Sequence, residues 1–165
     1  MDYISTADTA KAIRLVLRET FPKVKFSVRS HVYSGGSAIR ISWIDGPTTK
    51  AVDEAVGVFR SKGFDGSIDL GYSISHYALP SGKIVGTRTS GTAGSGGYVS
   101  AHDDGPIAGA TLVTYSAGYV TTDREISLEL RSKLETVLRT ELAIASIDLA
   151  SRYHLDRAEE LLALG

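Results

Sequence analysis

The sequence contains no cysteine, which excludes disulfide bonds, thiolate zinc sites and a cysteine nucleophile, so the fold must depend on packing. Long apolar runs are missing too, and no stretch approaches the length that a membrane span requires. The first twenty residues carry charges throughout, unlike a secretory signal with its basic start and apolar centre. We therefore expect a soluble, cytoplasmic protein.

The chain also has no net positive charge. The chain has 18 Lys and Arg against 19 Asp and Glu, a net charge of −1, which argues against the broad basic surface of a dedicated duplex-DNA binder. The charges are unevenly distributed, because residues 1–44 hold seven basic against three acidic residues and residues 119–165 hold six against nine. Any face that binds anions should therefore lie in the first quarter of the chain.

The chain has 165 residues, 42% of them hydrophobic, and we expect a single domain over 1–165 with one core. Ser5 and Asp8 have the spacing of a capping box, with Asp in place of the usual Glu. Apolar residues at helical spacing follow before Pro22, namely Ala10, Ile13, Leu17 and Phe21. This pattern predicts an amphipathic helix over roughly residues 6–20.

The apolar period changes to two after this helix. One face of the next segment carries apolar side chains, namely Val24, Phe26, Val28, Val32, Ile39, Ile41 and Trp43. The alternation is interrupted at Ser34, Gly35 and Gly36, which have the composition of a tight turn. The pattern predicts a β-hairpin over residues 24–44.

Pro47 suits the first turn of a second helix, which Gly63 would end, and residues 68–76 again alternate like a strand. The order of these elements predicts an α+β fold. We expect an antiparallel sheet of about four strands, including the 24–44 hairpin, with helices packed on one face.

The last part of the chain begins with residues 80–106, which hold seven of the 17 glycines and predict a loop or an insertion. A last strand is expected before residue 120. Thr122 and Glu125 then have the spacing of a capping box, and neither Gly nor Pro occurs from residue 119 to residue 164. We expect a helical C-terminal region over residues 122–164, containing a long helix.

This long helix would carry two apolar stripes. The first consists of Ile126, Leu130, Leu134, Val137 and Ile144. The second, a candidate partner-binding surface, consists of Leu128, Leu138, Leu142, Leu149 and Tyr153. Two stripes need two packing partners, and the second partner is either a short terminal helix near Ala158 or another protomer in a homodimer.

Motifs for catalysis or cofactor binding are weak. The glycines of 80–106 do not form a phosphate-binding loop, because neither the G-x-x-x-x-G-K-[ST] motif nor a following helix is present. Hard-metal ligands occur at His102, Asp103 and Asp104, with Asp65 and Asp69 upstream, but the spacing is that of ordinary turns. No G-x-S-x-G motif occurs, and His76 lies on the apolar side of its strand as a satisfied core or edge histidine would. We expect no catalytic residues, metal or cofactor, and therefore no enzyme.

The polar side of the hairpin is the remaining candidate site. Alternation places five side chains on it, namely Lys25, Arg29, His31, Tyr33 and Arg40. A solvent-facing sheet with cations and aromatic rings can bind single-stranded nucleic acid by stacking and phosphate contacts. The same composition also suits an ordinary wet sheet face, since Arg and Tyr are compatible with β-structure. The sequence leaves both interpretations open.

Three segments resemble a known family. They read YISTADTAKAIRLVLRETFP, VKFSVRSHVYSGGSAIRISWIDGPTTKAV and FDGSIDL, and the short motifs K-F-S-V-R-S, Y-S-G-G, S-W-x-D-G-P and F-D-G fall in order within them. Together they resemble the large polyvalent protein associated domain number twenty-nine, over residues 3–70 most closely. The glycine-rich segment and the helical tail depart from the core of that family.

The resemblance implies a phage or conjugative-element protein, in the cytoplasm of the host cell, with no catalytic motif to carry over. We therefore expect a non-enzymatic accessory protein that counters a host defence system, of the anti-CRISPR or anti-restriction type, by binding a host or mobile-element protein. The alternative is a module that binds single-stranded nucleic acid with the basic face of the 24–44 hairpin.

Overall fold

Two sheets and the helices packed on them make up the part of the chain that the computed structural model describes, residues 1–89, 107–142 and 155–160. The strands are β1 Asp2–Ile4, β2 Ser27–Tyr33, β3 Gly36–Ile44, β4 Lys62–Asp65, β5 Leu70–Ala78, β6 Ile84–Thr89, β7 Thr111–Tyr115 and β8 Tyr119–Glu125. The helices are α1 Thr6–Thr20, α2 Thr49–Val56, a 3-10 turn at Gly57–Phe59, and α3 Leu128–Leu142. Residues 155–160 are helical as well. The predicted α+β fold is confirmed.

Helix α1 has the predicted bounds and the predicted cap. The Ser5 hydroxyl accepts a hydrogen bond from the backbone N–H of Asp8 at 3.1 Å and donates one to Asp8 Oδ2 at 2.6 Å. These contacts satisfy one of the free N–H groups at the helix start. The apolar positions of the helix, Ala10, Ile13 and Leu17, are all buried.

The sheets differ from the single antiparallel sheet of about four strands that we expected. A five-stranded sheet has the order β1-β7-β5-β4, with β6 also paired to β5, and a three-stranded sheet has the order β2-β3-β8. The hairpin of β2 and β3 is confirmed, but β1 pairs with β7 in parallel and β3 pairs with β8 in parallel. Parallel partners lie far apart in the sequence, and local periodicity does not identify them.

The segment from Thr111 to Glu125 forms two strands, where we predicted one strand followed by a capped helix. Residues 116–118 separate β7 from β8 and connect the five-stranded sheet to the three-stranded sheet. Thr122 lies inside β8 and donates to Asp53 Oδ1 at 2.9 Å instead of capping a helix. The prediction of a helix starting at Thr122 was therefore wrong.

Helix α3 begins at Leu128 and is short, with 15 residues, where we expected a long one. Asp45 Oδ1 accepts a hydrogen bond from the N–H of Ser127 at 2.8 Å, and the Ser127 hydroxyl accepts one from the N–H of Leu130 at 3.2 Å. The hydrogen bonds of Ser127 hold the pKa of Asp45 below its usual range. A side chain 82 positions upstream thus helps to start the helix.

Helix α2 is also displaced from its predicted bounds. Thr48 is its N-cap, with its hydroxyl accepting from the N–H of Ala51 at 3.2 Å, so Pro47 precedes the helix instead of starting it. The α-helix ends at Val56, and Gly63 belongs to β4. The Asp, Gly and Pro at residues 45–47 form the turn out of β3, in which Asp45 and Gly46 have positive φ.

The main core lies where α1 and α2 cover one face of the three-stranded sheet. Its buried members include Ile13, Leu17, Ile39, Ile41, Trp43, Val52, Val56 and Val120. Tyr115 and Ala117, at the end of β7 and just after it, extend the same cluster to the second sheet. The helices therefore lie on one face of β2, β3 and β8, as predicted.

A second, smaller cluster joins α3 to the helical residues near the C-terminus. Leu134, Leu138 and Ala158 are fully buried in it. Assigning Leu138 to a partner-binding surface was therefore wrong, because residues 155–160 already cover that side chain. Residues 155–160 are thus one packing partner of the stripes, and the homodimer stays a prediction. Ile144, Leu149 and Tyr153 lie outside the described residues, as does the side chain of Leu142.

Arg124 of β8 connects the helical residues 155–160 to the three-stranded sheet. Its buried guanidinium is paired with Glu159. It also donates to the backbone carbonyls of Asp45, at 3.1 Å, and Gly46, at 2.9 Å. These contacts hold together the end of β3, strand β8 and residues 155–160.

Residues 80–106 are only partly described. Their first part contains β6, which pairs with β5 in antiparallel orientation with one register shift. The remainder, residues 90–106, lies outside the described residues. No helix in the described ranges is both long enough and apolar enough to cross a membrane.

Candidate functional site: an open sheet face

The outer face of the three-stranded sheet is exposed, and it carries the polar side chains predicted from the hairpin. Partner residues in neighbouring strands share a face, and Arg29 lies opposite Arg40, which lies opposite Thr121. In the next row, His31 lies opposite Ala38, which lies opposite Tyr119. We call this surface the open face; its outward residues are Ser27, Arg29, His31, Tyr33, Ala38, Arg40, Ser42, Ile44, Tyr119, Thr121, Asp123 and Glu125.

One end of the open face is aromatic. The rings of His31 and Tyr33 are stacked, with centroids 5.8 Å apart and an interplanar angle of 25°. The Tyr33 ring lies across the strand pair onto Gly36, where an added Cβ would come within 3.1 Å of the Tyr33 hydroxyl. Tyr119, 61% exposed, lies beyond Ala38 on the other side of the central strand. Small residues on β3 thus leave a flat area between exposed rings.

The cations of the open face are not equivalent. Arg40 is paired with Asp123 at 2.5 Å, so its charge is largely balanced within the face. Lys25 and Arg29, by contrast, form no ion pair with any residue in the described ranges. On the adjacent strand edge, Arg14 of α1 donates to the Val28 carbonyl at 2.6 Å. Lys25, Arg29 and Arg14 therefore place positive charge along β2 and not along β8.

The open face continues into a groove of about 560 Å³ at the start of β2. We call it the end groove; its lining includes Lys23, Lys25, Phe26, Trp43, Ile44 and Glu125. Phe26 and Trp43 pack against each other with ring centroids 5.5 Å apart. The groove thus joins an aromatic wall to two lysines and a carboxylate.

All five candidate residues from the sequence are therefore found along one surface. Arg29, His31, Tyr33 and Arg40 lie on the open face, and Lys25 lines the groove at its end. The contributions of Tyr119, Asp123 and Glu125 were missed, because β8 was not recognised as a strand. The alternation of Tyr119, Thr121 and Asp123 was the available signal.

The other sequence candidates are not brought together. Among the residues that the structure describes, no group of three or more His, Asp or Glu side chains is placed to hold a metal ion. Asp65 is buried and accepts from the N–H and the hydroxyl of Ser67, at 3.0 and 2.6 Å. His102, Asp103 and Asp104 lie outside the described residues.

His76 is a core residue, as its place on the apolar side of the strand indicated, but it is not satisfied by hydrogen bonds. Its side chain is fully buried, and its ring centroid lies 5.3 Å from that of Tyr115. Neither ring nitrogen has a hydrogen-bond partner within the described parts of the chain. Burial lowers the pKa of His76 to about 4.

Of the candidate partner-binding leucines, Leu128 at the start of α3 is 82% exposed, whereas Leu138 is buried. Other exposed apolar side chains occur on the hairpin of β4 and β5, at Phe64, Ile68 and Leu70. The start of α3 and the hairpin of β4 and β5 belong to other segments of the chain than β2, β3 and β8, which form the open face.

Comparison with known protein families matches residues 4–127 to the family described as large polyvalent protein associated domain 29. The chain belongs to this family. The match ends one residue before α3, so the polyvalent-protein-associated domain includes α1, α2, the open face and the end groove. The matched range also runs through the glycine-rich segment, which we expected to depart from the core of the family.

The helical residues after 127 lie beyond the matched range, as the resemblance implied. No curated protein matches the chain significantly. No solved structure does so either.

Proposed function

We propose that the chain is a non-enzymatic accessory protein of a phage or other mobile element, and that it binds single-stranded nucleic acid with its open face. The observation that supports this proposal is the combination, on one uncovered sheet face, of the stacked pair His31 and Tyr33 with the unpaired cation Arg29. Exposed rings bind bases of any sequence by stacking, and cations hold the phosphates between them.

The arrangement of charge favours a single strand over a duplex. The unpaired cations follow β2, whereas β8 carries Asp123 and Glu125 on the same face. A single backbone can lie along the positive edge with its bases turned over the sheet, but the second backbone of a duplex would meet the acidic strand. From Ser27 to Tyr33 the strand extends roughly 20 Å at about 3.3 Å per residue, enough for a short run of nucleotides.

The first prediction concerns the salt dependence of this binding. Fluorescence anisotropy with labelled single-stranded oligonucleotides should give an affinity that falls with salt, by about 0.7 logarithmic units per tenfold increase for each phosphate contact. Arg29→Ala should reduce that slope by about one contact. Tyr33→Ala should weaken binding by about 1–3 kcal/mol, the usual contribution of one stacked base.

Lys50→Ala is the matched control. Lys50 is an exposed cation on α2, and α2 packs on the opposite side of the sheet, so its removal should leave affinity and slope nearly unchanged. An affinity that does not depend on salt, or an equal loss in Lys50→Ala and Arg29→Ala, would contradict the proposal.

Binding to a host protein, with inhibition of a CRISPR or restriction system as its result, is the second candidate function. The observation that favours it is the exposure of Phe64, Ile68 and Leu70 on one short hairpin. The register pairs Phe64 with Gly71 and Leu70 with Asp65, so the two side chains project from opposite faces of the hairpin. Exposed apolar side chains are typical of protein contacts. This function would use a surface other than the open face, so the two candidates can be tested separately.

Affinity capture from a host lysate, with and without nuclease, tests this second candidate. We expect a protein partner that stays bound after nuclease treatment and at raised salt, because apolar contacts are not screened. Replacing both Phe64 and Leu70 by serine should abolish its capture. Leu15→Ser, which changes an exposed leucine on α1, should not. A partner that nuclease releases would count against direct protein binding.

A further inference from the structure

The end groove offers more than a continuation of the charged strip along β2. Its volume of about 560 Å³ is within the range of small-molecule sites and is larger than one nucleobase needs. Phe26, which is partly exposed, and Ile44, which is 62% exposed, supply apolar lining on which a planar ring can pack, and the buried Trp43 supports Phe26 from behind. The groove opens where the pairing of β2 with β3 starts, at Ser27 and Ser42, beside the last pair of β3 and β8, Ile44 and Glu125.

The polar groups of the groove are a mixture of donors and one available carboxylate. Lys23 and Lys25 carry ammonium donors, and Ser27 and Ser42 carry hydroxyls. The carboxylate of Asp45 is already used, because it accepts the N–H of Ser127 at 2.8 Å. Within the described ranges, the exposed Glu125 side chain forms neither a hydrogen bond nor an ion pair.

The unpaired carboxylate of Glu125 would repel the phosphates of a bound strand, so its presence in this groove requires an explanation. A carboxylate accepts hydrogen bonds only, and exocyclic amino groups of bases, such as N4 of cytosine, donate to it. The neighbouring ring nitrogen of cytosine or adenine is an acceptor, which suits the serine and lysine donors of the same groove. Thymine and uracil place a carbonyl oxygen where the amino group would be.

We propose that the end groove holds one unpaired base and that Glu125 selects a base with an exocyclic amino group next to a ring acceptor, cytosine or adenine. This inference rests on the proposed binding of single strands by the open face. Glu125 is thus a specificity-determining residue, while Arg29 and Tyr33 supply affinity without regard to sequence. Charge complementarity to the phosphates comes from Lys23 and Lys25 at the edge of the groove.

The test compares the affinities of the full chain for two labelled ten-nucleotide strands, oligo-dC and oligo-dT, which differ at the position that Glu125 would contact. We expect oligo-dC to bind about 5- to 20-fold more tightly, the lower part of the range for one well-placed base contact. Glu125→Gln keeps the shape of the side chain but removes its charge. It should bring the ratio of the two affinities close to one and raise the affinity for oligo-dT.

Glu54→Gln is the matched control, since Glu54 is an exposed acid on α2, on the other side of the sheet. It should leave the ratio unchanged. Equal binding of the two strands by the natural chain, or a ratio that persists in Glu125→Gln, would overturn the role of Glu125 while leaving strand binding by the open face intact. Failure of both strands to bind would overturn the proposed function itself, and the selectivity with it.

Discussion

Replacing Trp43 by alanine is expected to lower the free energy of unfolding by about 3–5 kcal/mol, the usual cost of removing a large buried aromatic side chain. Trp43 is 3% exposed, its ring packs against Phe26, and its Nε1–H donates to the Pro47 carbonyl at 3.0 Å. The substitution would leave a cavity between the sheet and the turn into α2. Because domains of this size are stable by only about 5–15 kcal/mol, much of the margin would be lost.

Thermal denaturation followed by circular dichroism measures this effect, and the melting temperature should fall by about 10 °C or more. Tyr119→Ala is the appropriate comparison, because Tyr119 is an aromatic residue of the neighbouring strand with most of its side chain exposed. Its loss should change the melting temperature little. A Trp43→Ala protein that melts within a few degrees of the natural chain would show that this ring is not a core element.

The local elements were predicted from the sequence because short-range physics determines them. The reciprocal contacts of Ser5 and Asp8 and the regular spacing of Ala10, Ile13 and Leu17 define α1 without reference to any other part of the chain. The hairpin is similar, since its turn and its alternation lie within one short segment. A hydrogen-bonded helix cap, or the two-residue alternation of a strand, can be recognised wherever the interacting residues are neighbours in sequence.

The pairing of β3 with β8 depends instead on residues about 80 positions apart, and no local pattern reveals it. The Thr122 and Glu125 spacing resembles a capping box, but inside a strand it merely places the two residues on opposite faces. Asp53 and the parallel partner strand decide the outcome there, because they provide hydrogen-bond partners that a helix would lose.

The candidate site was half predictable for the same reason. Alternation along the hairpin placed Arg29, His31 and Tyr33 together before any tertiary contact was considered. The groups that give the surface its asymmetry, the acidic residues Asp123 and Glu125, come from β8 and became neighbours only through the parallel pairing. Charge by segment indicated a basic first quarter and an acidic last part of the chain, but not that the two would lie side by side in one sheet.

The stability of the fold should also depend on pH between about 4 and 6.5, because of His76. In the folded chain, burial lowers the pKa of this histidine to about 4, while in the unfolded chain the value is near 6.5. Above pH 6.5 both states are neutral and the histidine has no effect. As the pH falls below 6.5, His76 binds a proton in the unfolded state but not in the folded state. The free energy of unfolding therefore decreases progressively, by roughly 3 kcal/mol at pH 4.

Two carboxylates affect the stability of the fold in a different pH range. The pKa of Asp8, lowered mainly by the hydrogen bond from Lys11, and that of Asp45, lowered mainly by Ser127, both lie below 3.8. Their stabilising contacts are therefore lost only in more acidic solution, as the pH falls through those values. The loss of stability that His76 causes therefore begins at a higher pH than the losses from these two carboxylates, and His76 is the described histidine that is fully buried.

Chemical denaturation at a series of pH values tests this assignment with His76→Leu. Leucine fills a similar space and replaces two ring nitrogens that have no hydrogen-bond partner among the described residues, so stability at pH 7 should be equal or higher. Between pH 4 and 6.5 the loss of stability seen in the natural chain should largely disappear. His31→Leu, at an exposed position of the open face, should keep it; the same slope in His76→Leu and the natural chain would mean that another group takes up the proton.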